Sequence, residues 1–360
     1  MKILSLLILL LLPVSSHAQI VEKRPARHFR QTVPAGNYSG LTQLNGNRYL
    51  MVSDKGGSDG FFFLRIDIDS LTGKLHEVHV DSFVSVATTE ADLEGIAYHA
   101  PQGTVFLSSE RNHAVREYTL SGQPTGRELA IPEPLRKCRP NYSFESLTYS
   151  PVTHRFWTVS ESTLPVDGEA ATATNGVRNR LRLMVFDDSL QLRACYPYLM
   201  DAPQTRKPQR IFCMGVSELL ALDDGRLLVL ERELSVPRRR IGARCRCRLY
   251  VVEPSRSEAC FPMVQDASIA SQQKELPSHL VPRSSHLGDS SNPSSASFLP
   301  KLLLCEWTTR MNLLRQNMAN YEGMCLGPRL SDGRQTVILC ADSQNQYAHL
   351  MRDWFTVIVL

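Results

Sequence analysis

The sequence predicts an all-β fold, a β-propeller of five, at most six, four-stranded blades. Three observations carry that prediction. One strand–turn–strand pattern recurs five times, each copy is followed by further alternating strands, and no convincing amphipathic helix interrupts the series.

The copies open with YSGLTQL from Tyr38, DLEGIAY from Asp92, SFESLTY from Ser143, GVSELLAL from Gly215 and NYEGMCL from Asn320. Each runs into a tight-turn signal, such as Asn45-Gly46-Asn47, Asp223-Asp224-Gly225 or Ser331-Asp332-Gly333. A short apolar strand follows and ends in an acid: Asp54, Glu110, Glu161, Glu231 and Asp342. Third strands read FFFLRIDID, AVREYTL, RLRLMVF and RLYVVEP; fourth strands are less regular, as in RELAIP and KLLLCEW. Four antiparallel strands per repeat describe propeller blades. A sixth blade would have to lie between Glu218 and Glu322. The last copy has room for one more strand, Trp354 to Leu360, so its outer strand is expected from Ile20 to Arg30, closing the ring and removing exposed edges. The nearest approach to a helix is Thr308 to Asn320.

Residues 1–18 stand apart. Lys2, the apolar run Ile3 to Val14 and Ser15-Ser16-His17-Ala18 have the form of a signal peptide, and the run is short for a membrane span. The expectation is an exported protein, periplasmic or secreted, starting near Gln19, with no membrane span and a single domain over 19–360. Residues 267–297 are rich in Ser, Pro, Gln and Asn and read as a mobile insertion.

Lys plus Arg total 40 against 36 Asp plus Glu, which does not argue for a nucleic-acid partner. Nine cysteines leave at least one unpaired within the chain. Cys325 and Cys340 sit symmetrically about the last turn, so a bridge between them and a pair of buried thiols are equally expected. Cys245-x-Cys247 would point to one face of a strand.

In each repeat the start of the first strand and the end of the second share one end of the propeller. That places Glu94, Glu145, Glu218 and Glu322 with Asp54, Glu110, Glu161, Glu231 and Asp342 around one mouth of the channel. Crowded carboxylates raise one another's pKa or take up a cation, and oxygen ligands of irregular geometry suit Ca2+. The alternative for each Glu is a cap on backbone amides of its own blade. The longer, basic loops open at the same end. They carry Lys55, Arg111-Asn112-His113, Arg136, Lys137, Arg139, Arg206, Lys207, Arg210, Arg232 and Arg238 to Arg240; Arg suits phosphate and carboxylate oxygens. Arg244, Arg246 and Arg248 alternate as the wet face of a strand would. Gly215-Val216-Ser217-Glu218 lacks the second glycine of a nucleophile elbow, and no Walker loop or His-Glu-x-x-His occurs.

Taken in order, SGL at Ser39, SDKG at Ser53, DLEG at Asp92, SER at Ser109, FESL at Phe144, SELL at Ser217, LERE at Leu230, NYEG at Asn320 and the terminal DWFTVIVL resemble the phytase-like family of exported bacterial propellers with esterase-like activity. The resemblance implies a propeller and a hydrolase of phosphate or other esters. Three functions fit the residues. The first is a calcium-dependent hydrolase of anionic esters, a monomer acting on small molecules. In it Glu145, Glu218 and Glu161 are the catalytic candidates, Lys55, Arg111 and Arg232 bind the substrate, and Glu94, Glu145, Glu218, Glu322, Asp54, Glu110, Glu231 and Asp342 are the metal candidates. The second is a lactonase- or arylesterase-like propeller taking a neutral ester. The third is a non-catalytic binding propeller stabilised by calcium.

Overall fold

In a computed structural model the described residues are 21–53, 59–87, 92–239, 241–257, 259, 298–312, 317–347 and 351–360. The expected signal peptide, the Ser-rich stretch 267–297, Asp54, Lys55 and Arg240 lie outside them.

The chain opens with β1 (Glu22–Lys23). Blade 1 is β2 (Tyr38–Asn45), β3 (Arg48–Ser53), β4 (Gly60–Ile68) and β5 (Leu75–Ser85). Blade 2 is β6 (Leu93–His99), β7 (Thr104–Ser109), β8 (Ala114–Thr119) and β9 (Pro124–Glu128). One turn of helix, α1 (Glu133–Arg136), precedes blade 3, which is β10 (Phe144–Ser150), β11 (Arg155–Ser160), β12 (Arg180–Asp187) and β13 (Leu192–Leu199). Blade 4 is β14 (Ile211–Ala221), β15 (Leu227–Val236), β16 (Arg244–Val252) and β17 (Lys301–Arg310). Blade 5 is β18 (Asn320–Arg329), β19 (Gln335–Asp342) and β20 (Phe355–Val359), completed by β1, which pairs Glu22 with Val359 and Lys23 with Ile358. The blades therefore number five, and both chain ends close the ring. The sixth blade is not needed, because 253–300 connects β16 to β17 within one sheet. The helix expected from Thr308 is absent at its start: Thr308 to Arg310 continue β17, held by pairing with Arg244 to Arg246.

Innermost strands β2, β6, β10, β14 and β18 contact one another in ring order. Alternation along them sends one face of each blade against its neighbour, giving five apolar clusters for five blade interfaces. Between blades 1 and 2, for example, Leu50, Val52 and Phe61 meet Ile96, Val105 and Leu107, all buried. Between blades 2 and 3, Phe106, Phe144, Phe156 and Phe186 pack together. Each such side chain contributes about 1.5–3 kcal/mol by leaving water, so the ring is held by its interfaces rather than by a single centre.

Two cysteine expectations resolve here. Cys325 pairs in register with Ile338, and Cys340 with Gly323, because the hairpin closes on the Arg329–Gln335 pair and a bulge between Leu326 and Arg329 displaces the ladder further. Cys325 and Cys340 are accordingly buried free thiols. Cys245 and Cys247 do share a face, with their sulfurs 3.9 Å apart. Arg244, Arg246 and Arg248 are not a wet face: Arg248 is 5 % exposed, and it pairs with Glu306 and, at 3.4 Å, with Asp201.

Candidate active site at the channel mouth

A bulge near the start of each innermost strand builds the site. It falls between Tyr38 and Leu41, Leu93 and Ile96, Phe144 and Ser146, Val216 and Glu218, and Tyr321 and Gly323. Bulges re-aim a side chain, and each here follows a buried apolar residue. The residue just after that apolar one is Ser39, Glu94, Glu145, Ser217 and Glu322. Opposite, the residue following the second-strand partner of that apolar residue is Glu110, Glu161, Arg232 and Asp342 in blades 2 to 5.

Blade 4 is therefore one residue out of step with the acid pattern. Glu218 and Glu231 do not join the ring. Ser217 fills the position expected of Glu218, and Arg232 fills that expected of Glu231. Glu218 lies one residue further down, where other blades have Gly40, Gly95, Ser146 and Gly323. Its Oε1 accepts the amides of Leu147 at 3.1 Å and Leu219 at 3.0 Å, and its carboxyl also takes the amide of Met324. It thus ties blades 3, 4 and 5 together across the channel. Burial raises its pKa well above the carboxylate range, against the pull of those three amides. Glu231 faces away, accepting from Tyr198 Oη at 2.7 Å and Lys301 Nζ at 2.5 Å.

Arg232 crosses the mouth. Its guanidinium pairs with Glu161 and Glu322, donates to Asn320 Oδ1 at 3.1 Å and lies 3.9 Å from Glu145. It is 4 % exposed, so it is an internal counter-ion rather than a free anion hook. Cys213 Sγ donates to Glu161 Oε1 at 3.0 Å and lies 3.4 Å from Arg232. Gly215 is required beneath this pair: a Cβ there would come within 2.3 Å of Glu161 Cγ.

On the other side of the mouth, carboxylate oxygens of Asp92, Glu94 and Glu110 lie within 4.8 Å of one another. Asp92 takes φ 41°, a left-handed backbone unusual for a non-glycine residue and typical of strained functional positions. All three offer hard oxygen ligands, a donor set that fits Ca2+ better than a softer ion. Asp92 was not among the sequence candidates, although its place beside Leu93-Glu94 was the available signal. Glu145 stands between the two halves. Burial, then the fields of Glu161 and Glu94, push its pKa well above the ordinary value, with Arg232 opposing. Glu322 is pushed up to about 8 by burial and by Asp342 and Glu161, again against Arg232. Asp342 is buried and accepts the Gln344 amide at 2.6 Å.

Above Arg232 opens a cleft of about 800 Å³. Strands β14 and β15, at 11 and 10 residues, outrun their counterparts β10 and β11 at 7 and 6. Their extra length stands up as its wall. Cys213 pairs with Leu234, and Ile211 with Val236, above the Gly215–Arg232 pair. Of the basic loop residues, Arg139 is held by the Thr163 and Gly168 carbonyls and Arg178 by that of Met200, while Arg111 and Arg210 are exposed. No helix among the described residues is long and apolar enough to cross a membrane.

Likenesses to solved propeller-containing and other structures are remote. The chain is 6% identical to the WD40 β-propeller domain of Doa1 (TM-score 0.34, covering 94% of this chain and 97% of that one). It is 10% identical to the catalytic domain of Coprinopsis cinerea GH62 α-L-arabinofuranosidase (TM-score 0.38, 91% and 98%). It is also 10% identical to Kuenenia stuttgartiensis hydrazine synthase (TM-score 0.35, 91% and 88%). No curated protein sequence matches. The family described as phytase-like, esterase-like activity of phytase, matches residues 33–344. With nearly the whole described ring inside that match, the chain belongs to the phytase-like family.

Proposed function

We propose that this protein is a calcium-dependent hydrolase of anionic esters, phosphate esters included, working at the channel mouth. The convergence of Asp92, Glu94 and Glu110 carries the reading. Three carboxylates this close are stable together only if protonated or paired with a cation, and family membership points to ester chemistry. Asp92, Glu94 and Glu110 would hold the ion, which when bound supplies charge neutralisation and polarisation of an ester oxygen.

The remaining roles fall to the chain's own groups. Glu145, whose carboxyl is pushed well above the ordinary carboxylate range by burial and by Glu161 and Glu94, is placed to exchange a proton with a departing oxygen or an attacking water. Arg232 holds Glu161 and Glu322 in place and keeps that wall of the mouth from taking up a second cation. Arg111, next in the chain to Glu110 and exposed, is available to an anionic substrate. Export is supported by the leader-like first eighteen residues, and calcium is abundant outside cells at the affinities such sites commonly have.

The test uses purified full-length chain with p-nitrophenyl phosphate and phenyl acetate, before and after chelation. Hydrolysis of either that falls on chelation, returns with calcium and is lost in Glu110→Gln supports the reading. Unchanged hydrolysis in chelator refutes the calcium requirement. No hydrolysis of either by the calcium-loaded protein leaves the non-catalytic binding propeller.

A further inference from the structure

The cleft over Arg232 is not explained by ester chemistry alone. Its walls are apolar: Ile211, Leu234 and Val236 on blade 4 face Met311, Met318 and Met351. Its floor is polar, formed by Arg232, Asn320 and Glu322, and its lining also includes Arg210 and Arg239, both exposed. Ile211 is 49% and Ile241 84% exposed, and both belong to this one lining rather than being scattered singly over the surface. The four residues Ile211 to Met214 carry the wall about 13 Å beyond the mouth, at roughly 3.3 Å per strand residue.

We infer that the cleft binds the apolar part of the substrate, a chain or ring system lying along the β14–β15 wall with its ester at the floor and an anionic group at Arg210 and Arg239. This rests on the hydrolase reading for what happens at the floor, but the binding is separable from it. The occupant follows from the geometry. A sugar polyphosphate would leave the apolar walls without contact and meet Glu322 at the floor. A neutral chain would leave two guanidinium groups unused. An amphiphile with its charge at the outer end satisfies walls and rim together, and the cleft is continuous with the acidic mouth where the ester would sit.

The test is equilibrium fluorescence with 11-(dansylamino)undecanoate on the full chain. Saturable one-to-one binding is expected, displaced by decanoate but not by butyrate or decylammonium. Ile211→Glu places a charge on an already half-exposed wall position and should weaken binding about tenfold or more, with an unchanged melting temperature. Arg210→Glu with Arg239→Glu should weaken decanoate and spare decanol. Absence of saturable binding, or binding indifferent to Ile211→Glu, overturns the inference. So does sedimentation showing a dimer that Ile211→Glu dissolves, since a second copy would then cover the cleft. Hydrolysis of p-nitrophenyl esters is read separately: binding without hydrolysis refutes the hydrolase reading and keeps the cleft, whereas hydrolysis indifferent to chain length with no binding refutes the cleft alone.

Discussion

Replacing Arg232 by Met should convert an internally neutralised wall into one that needs a metal ion. The methionine keeps most of the apolar stem and removes the guanidinium. Glu161 and Glu322 then lose their ion pair, and Glu145 its nearby cation. Removing one partner of a buried pair costs about 3–5 kcal/mol, because the remaining charge is left in a poorly solvated place. At about 2.1 cal/mol/K per residue over roughly 300 residues of the propeller, the unfolding entropy is about 0.6 kcal/mol/K, so the melting temperature should fall by about 5–8 °C. The assay is calorimetry at pH 8, with chelator and then with excess calcium. Calcium should restore more of the stability in Arg232→Met than it adds to the wild type, and titration calorimetry should show one more bound ion. A variant that loses under about 1 kcal/mol in chelator, or that calcium stabilises no more than wild type, would refute the idea that Arg232 stands where an ion would otherwise sit.

Three further outcomes follow from the same geometry. Glu218→Gln should keep calcium binding and hydrolysis, since its oxygen can still accept the Leu147, Leu219 and Met324 amides. Glu218→Ala should instead cost several kcal/mol by leaving those amides unpaired, at about 1–3 each; loss of calcium in the Gln variant would return Glu218 to the metal site. In chelator the wild type should be less stable at pH 8 than at pH 5.5. The folded Glu322 carboxyl, raised to about 8, binds a proton that the unfolded one gives up near 4.5, so its stabilising contribution is lost as pH rises between those values; rising stability over that window in a chelated melting series would contradict this. Alkylation under denaturing, non-reducing conditions should label both Cys325 and Cys340, and mass spectrometry finding them joined would contradict the register of β18 and β19.

Much of the fold was legible because propeller blades are local. Each hairpin turn, each alternating strand and the apolar terminal strand could be read in place, and β1 on β20 followed from the need to close an edge. Register was harder. The acids alone align Glu218 with Glu94, Glu145 and Glu322. The apolar residue before the bulge aligns Ser217 with them instead, since Val216 matches Leu93, Phe144 and Tyr321. Packing decides between the two, because shifting a strand by one residue would send every buried side chain of the blade to the wrong face. A carboxylate moved by one position finds other partners, as Glu218 does on three amides and Glu231 on Tyr198 and Lys301.

The same one-residue shift explains why the mouth is asymmetric. If blade 4 followed the others, its Glu would add to Glu161, Glu322 and Glu145, and that wall would be charged enough to require its own ion. With Arg232 there, the wall of Glu161 and Glu322 carries its own counter-ion, while the carboxylates of Asp92, Glu94 and Glu110 converge on the side of blade 2. On the proposed reading a cation would be directed to blade 2, while the face of blades 4 and 5 is left neutral enough to be lined with Leu234, Val236 and Met318. An apolar cleft beside an unneutralised cluster of carboxylates would lose its advantage, because those charges would hold water at the floor. The buried arginine and the apolar wall therefore belong to one arrangement, and Arg232→Met should weaken chain binding even when calcium has restored the fold.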